Sequence, residues 1–282
     1  MALSDLIPLA AAALLAAALP ARAAPPEAPQ RIVSLNVCTD QMALLLADPG
    51  QIAALSPIST DPRSAVYAAQ AEAFDQTEVT AESVVLRQPD LILAGRYTTR
   101  ATVEMLTGLG YRVEIFEPSN SLATARENIA HMGRLLGPKA EARAAVLLQA
   151  FDARLAALRA TPGPQPRVAL YYALGNTAGT NTLGADLLAA AGLRNIAADM
   201  GLPYGGALPL EALMLADPDL ILVGQPYSSP ARATDLLTHP VLKRSGKLRT
   251  LANGANWLCA TPALLDVVED LVALRLEWSE TQ

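Results

Sequence analysis

Glu82-Ser83-Val84-Val85-Leu86-Arg87-Gln88-Pro89-Asp90-Leu91-Ile92-Leu93-Ala94-Gly95 returns later in the chain as Glu211-Ala212-Leu213-Met214-Leu215-Ala216-Asp217-Pro218-Asp219-Leu220-Ile221-Leu222-Val223-Gly224. Both copies place Glu at the start of a helix-forming segment and close on Pro-Asp-Leu-Ile-Leu-x-Gly. Proline cannot extend a helix interior. The apolar run that follows, closed by Gly, has the composition of a strand buried on both faces. A helix–Pro-Asp–strand junction is common in α/β proteins. Agreement along the whole stretch indicates instead that a larger unit is duplicated.

The flanks support duplication. Arg31-Ile32-Val33-Ser34-Leu35 reads as a strand entering the polar loop Asn36-Val37-Cys38-Thr39-Asp40, and Arg167-Val168-Ala169-Leu170-Tyr171 resembles it. A helix over Gln41–Ala47 stops at Asp48-Pro49-Gly50, a turn signal. Ile52–Leu55 follows as a second strand, and residues 56–77 read as loop with short helix. Ala81–Arg87 suits a helix, Asp90–Ala94 a strand, Thr99–Leu109 a helix and Arg112–Phe116 a strand. This alternation defines an α/β fold with parallel or mixed sheets covered by helices. Between the copies, Pro138–Ala160 lacks internal Gly or Pro, and as a helix it would run roughly 33 Å at 1.5 Å per residue. Thr161-Pro162-Gly163-Pro164-Gln165-Pro166 ends it. The expected organisation is an N-terminal lobe at 24–135, a connecting helix at 136–161 and a C-terminal lobe at 162–282.

Residues 1–23 read as an export signal. Leu6–Leu19 is nearly all Ala and Leu, and Ala21-Arg22-Ala23 offers a small-x-small cleavage pattern, although Asp5 stands where a basic residue is usual. A periplasmic, monomeric protein is expected. The net charge of −6 and the absence of a basic cluster disfavour nucleic acid as a partner. Phosphate-loop, Gly-x-Ser-x-Gly, His-Glu-x-x-His and dinucleotide fingerprints are absent, so an enzyme is not expected. His131 and His239 have no metal-like spacing, so neither a metal site nor a cofactor is expected. Cys38 and Cys259 fall in segments expected to face each other from opposite lobes. A bond there would restrain the lobes, so two unpaired cysteines are favoured over a disulfide.

With both Glu…Pro-Asp-Leu-Ile-Leu segments, the long helix between them, and Asn181–Leu193, His239-Pro240-Val241-Leu242 and Trp257-Leu258, the chain from Arg31 to about Arg275 resembles a known family. This is the periplasmic binding proteins of the ferric-siderophore and vitamin B12 type, the helical-backbone class that serves ABC importers. The resemblance implies two α/β lobes joined by one long rigid helix, with ligand held between them. It implies that Glu82 and Glu211 dock on the permease subunits of an importer. Each carboxylate also occupies a helix first turn, where it complements the dipole by about 0.3–1 kcal/mol, a role compatible with docking.

Ligands of open α/β sheets sit beyond the carboxyl ends of strands. Asn36, Arg63, Tyr67, Arg96, Tyr97, Tyr172, Tyr204, Tyr227 and Trp257 are therefore the ligand-binding candidates, with Cys38, Asp40 and Asn176 on the same loops. Aromatic side chains suit a macrocycle or aromatic chelate. Arg63 and Arg96 favour an anionic iron(III)-siderophore chelate over cobalamin or haem. A periplasmic sensor remains a competing reading.

Overall fold

A computed structural model describes residues 28–225, 231–251 and 254–281. The expected export signal at 1–23 and Tyr227 lie outside the described residues. The first sheet is built from β1 (Ile32–Ser34), β2 (Ile52–Ala54), β3 (Leu91–Gly95) and β4 (Val113–Phe116), all parallel, in the order β2-β1-β3-β4. Between them run α1 (Val37–Leu46), α2 (Ala68–Ala71), α3 (Ala81–Val85) and α4 (Arg100–Gly108). Then come α5 (Leu122–Leu136) and α6 (Pro138–Arg159).

The second lobe contains β5 (Arg167–Tyr172), β6 (Asn176–Thr177), α7 (Leu183–Ala190), β7 (Arg194–Asn195), β8 (Gly206–Ala207) and α8 (Leu210–Ala216). It continues through β9 (Leu220–Val223), α9 (Pro240–Arg244), β10 (Leu248–Thr250) and α10 (Leu264–Glu280). β7, β5, β9 and β10 are parallel neighbours in that order, which reproduces the first sheet strand for strand. The ribbon of β6 and β8 is an addition, antiparallel to the end of β5.

The duplicated motif is a structural lock. Asp90 accepts the Arg31 amide at 3.0 Å and Asp219 accepts the Arg167 amide at 2.7 Å, fixing the entry of β1 beside β3 and of β5 beside β9. The Arg31 guanidinium donates to the Gln88 carbonyl at 3.2 Å, and that of Arg167 to the Asp217 carbonyl, also at 3.2 Å. Those carbonyls are left open where α3 and α8 end. Gln88 and Asp217 both take left-handed backbone, at φ 49° and 46°, to turn the chain ahead of the proline. The resulting registers match, Ile32 opposite Leu91 and Val168 opposite Leu220.

Leu-Ile-Leu then serves two cores at once. Leu91 and Leu93 pack beneath α1, α5 and α6, while Ile92 packs beneath α3 and α4. Leu220 and Leu222 pack beneath α6, α7 and α10, while Ile221 packs with Leu213 of α8 and Leu242 of α9.

α6 crosses between the lobes. Its Ala140 and Ala144 belong to the N-terminal core, and its Phe151 and Leu155 to the C-terminal core. It has a companion that the sequence reading did not single out. α5 runs antiparallel beside it, with Leu122 and Ala125 in the C-terminal core and Ile129, Met132 and Leu136 in the N-terminal one. The connection is therefore a helical hairpin. Gly133 permits its close approach, since a Cβ there would stand 2.6 Å from the Ala144 Cβ. Gly133→Ala should separate the helices and lower unfolding free energy by about 1–3 kcal/mol. Urea denaturation measures this, and an unchanged midpoint would show that the hairpin packs otherwise.

Candidate functional site

α1 begins at Val37, earlier than its composition suggested, because the Asn36 side chain caps it by accepting the Cys38 amide at 3.0 Å. That aims the helix N-terminus at the other lobe. Cys38 is bonded there to Cys259, with Cα atoms 5.0 Å apart, so the expectation of unpaired cysteines is corrected. The objection to a bond was that it would oppose lobe motion. However, α1 already packs on α5 and α6, and α10, which begins shortly after Cys259, packs on α6. The bond joins two elements anchored on the same hairpin and runs alongside it. Tyr67 also reaches across, near Asp266 and Thr261. Burial first, and the Asp266 charge second, raise its phenol above the ordinary value.

The disulfide sets the carboxyl edges of the two sheets facing each other. On the N-terminal side, Gly95 lies against Asn36, which brings Arg96 and Tyr97 beside the α1 N-terminus. Tyr97 is 86% exposed. Arg96 is ion-paired to Glu117 at 2.9 Å, both being well exposed. Arg63 is exposed on the loop after β2, its amide donating to Asp61 at 3.0 Å.

On the C-terminal side Tyr172 turns inward, packed on the C-terminal core near Gly184 of α7, and burial pushes its phenol up to about 12. Asn176 donates to the Ala173 carbonyl. Tyr204 is exposed on the loop entering β8. Trp257 is half-buried and borders a concavity of about 360 Å³ with Leu251, Val267, Leu271 and Leu274, against α10. A second concavity, of about 440 Å³, lies around Arg159, Gly192 and Arg275 in the same lobe. Ile58, Leu174 and Leu258 were not among the ligand-binding candidates, yet each is exposed beyond a strand end. Their signal was available: large apolar residues where a chain leaves a sheet.

The histidines have local partners. His131 meets Glu114 at 2.7 Å and His239 caps α9 by accepting the Val241 amide. Among the described residues no group of three or more His, Cys, Asp or Glu is placed to hold a metal. Nor is any helix among them long and apolar enough to cross a membrane.

Asp40, in the first turn of α1, is completely buried and accepts from the Ser56 amide at 3.2 Å and from the Ser56 hydroxyl. It ties α1 to the loop after β2. Burial pushes its carboxyl from 3.8 up to about 7, against the opposing pull of the Ser34 and Ser56 hydrogen bonds.

Comparison with known proteins gives the class. The chain belongs to the family described as Periplasmic binding protein, which it matches over residues 32–252. It is 32% identical over 201 residues to a cobalamin-binding protein of Halobacterium salinarum, a match covering 70% of this chain and 54% of that one. The chain thus spans about half the length of the curated relatives it matches. In fold it is similar to the periplasmic heme-binding protein RhuT of Roseiflexus sp. RS-1 in apo form (TM-score 0.72, 22% identity, covering 89% of this chain and 99% of that one). It is also similar to the vitamin B12 binding protein BtuF of Vibrio cholerae (TM-score 0.62, 19% identity, covering 90% and 99%).

Because the folded-state pKa of Asp40 lies above its unfolded value, its contribution is fully present at low pH and is lost as pH rises from 3.8 through about 7. Asp40→Asn should therefore flatten the decline in unfolding free energy between pH 5 and pH 8, measured by urea titration. An equal decline in both proteins would assign it elsewhere. Non-reducing peptide mapping should recover a Cys38–Cys259 crosslink, and the double alanine variant should lose about 2–5 kcal/mol of unfolding free energy.

Proposed function

We propose that the protein is an extracytoplasmic solute-binding protein that holds a corrinoid between its lobes and delivers it to an ABC importer. The observation carrying this reading is the facing of two strand-end edges bearing exposed apolar and aromatic side chains, Ile58 and Tyr97 on one lobe and Leu174 and Leu258 on the other. Such groups suit a bulky ligand with large apolar faces. The preference for an anionic iron chelate rested on Arg63 and Arg96. Glu117 balances the charge of Arg96, which weakens that preference. The likeness to the Halobacterium cobalamin-binding protein supports the corrinoid. Asn36, Tyr67, Tyr97 and Tyr204 are the contacts we favour among the earlier candidates, with Arg63, Arg96, Tyr172, Tyr227 and Trp257 less favoured or lacking structural support.

Titration of the intrinsic fluorescence of Trp257 and Trp278 with cobalamin, haem and a ferric siderophore tests the ligand. Cobalamin should quench saturably and bind at least about tenfold tighter than the others, a difference of ~1.4 kcal/mol. Tighter binding of haem or the ferric chelate would contradict the reading.

Glu82 and Glu211, both exposed, are the proposed docking carboxylates. The double charge reversal Glu82→Lys/Glu211→Lys should abolish uptake by the reconstituted importer with ligand affinity unchanged. Undiminished uptake would remove the docking role.

A further inference from the structure

The duplicated segment carries more than its glutamates. One helical turn beyond each stands a leucine, Leu86 after Glu82 and Leu215 after Glu211, and these are 82% and 86% exposed. Residues i and i+4 share a helix face, so each lobe presents a carboxylate and an apolar side chain together. The exposure pattern repeats at every position from 82 to 89 and from 211 to 218. The following left-handed residue repeats as well, Gln88 and Asp217. The two patches are thus equivalent in backbone as well as in composition.

The fold does not account for these leucines. Ala81 and Val84 of α3 and Leu213 of α8 are the buried members of the two helices, whereas Leu86 and Leu215 contribute to none of the four cores. α3 and α8 both lie on the sheet faces opposite those carrying the α5–α6 hairpin. Two like patches on that side fit a partner that itself offers two like surfaces. The carboxylates require a basic group on each surface, and the leucines require an apolar notch beside it.

We propose that Leu86 and Leu215 are paired apolar anchors that seat the two lobes on two like membrane subunits of the importer, one lobe to each. This rests on the importer reading above and adds the groups that fix short-range fit. The carboxylates attract at a distance and are screened by salt. The leucines act only on contact, and salt does not screen them.

The test uses the full-length protein and the permease–ATPase complex whose transport it stimulates, held in nanodiscs, with dissociation constants measured at about 0.1 M and about 1 M salt, where the Debye length is ~10 Å and ~3 Å. Leu86→Ser/Leu215→Ser should weaken binding by roughly 100-fold, about tenfold from each leucine, and by a similar factor at both salts. Glu82→Lys/Glu211→Lys should lose most at low salt. Cobalamin affinity and thermal midpoint should match wild type in the leucine variant, since both side chains are exposed. Binding by the leucine variant within about twofold of wild type, with the glutamate variant impaired, would overturn the anchors and leave docking standing. A loss confined to one single leucine variant would overturn the pairing. Wild-type binding by both double variants would remove the docking reading itself.

Discussion

Everything in this molecule hangs on the contact of α5 with α6 at Gly133 and Ala144, where the helices approach too closely for any further atom. Each helix has one end in each core, so the hairpin belongs to both lobes and a change of lobe angle has to bend two packed helices together. Interiors packed to this density resist such deformation. The Arg126–Asp152 pair closes the hairpin surface with two hydrogen bonds at 2.6 Å, and Arg143 reaches the Leu46 carbonyl of α1 at 2.8 Å. α1 is thereby fixed on the hairpin at one end and bonded through Cys38 to the other lobe at its start. The disulfide and the hairpin restrain the same interface from neighbouring positions.

The lobes themselves are two uses of one device. An aspartate after proline holds the entry of the first strand, and the arginine at that entry satisfies a carbonyl where the preceding helix ends. The device fixes register, and register decides which face of Leu-Ile-Leu meets which helix layer. It also leaves one face of α3 and of α8, bearing Glu82 and Leu86 and bearing Glu211 and Leu215, outside the core. The glutamates and leucines there are free to serve a partner because the structural work is done by Asp90, Asp219, Arg31 and Arg167. The C-terminal lobe departs from the scheme where the β6–β8 ribbon pairs with the end of β5.

Much of this was legible in the sequence because the lock is local and repeated. The main strands, the parallel or mixed character of the sheets and the long helix were read from composition and from Pro-Asp junctions, whereas strand order and the β6–β8 ribbon were not. α5 was not, because its partner surface is split between two cores; the spacing of Ala125, Ile129, Met132 and Leu136 marks an amphipathic face without saying where it lies. The disulfide was misjudged because its effect depends on where it sits relative to the hairpin, which linear distance does not encode. The candidate site was legible only as a set of loops. Tyr97 and Tyr204, placed on loops by the sequence, are exposed, but nothing in the sequence said that Tyr172 turns into the core or that Arg96 faces Glu117.

The central claim is that ligand is held between the facing carboxyl edges of the two sheets. Hydrogen exchange of the protein with and without saturating cobalamin addresses it most directly. The account predicts new protection in the segments 36–40, 95–98 and 172–176, with α5 and α6 equally slow in both states. Protection confined to the concavity around Arg275, or absent from the facing loops, would contradict it.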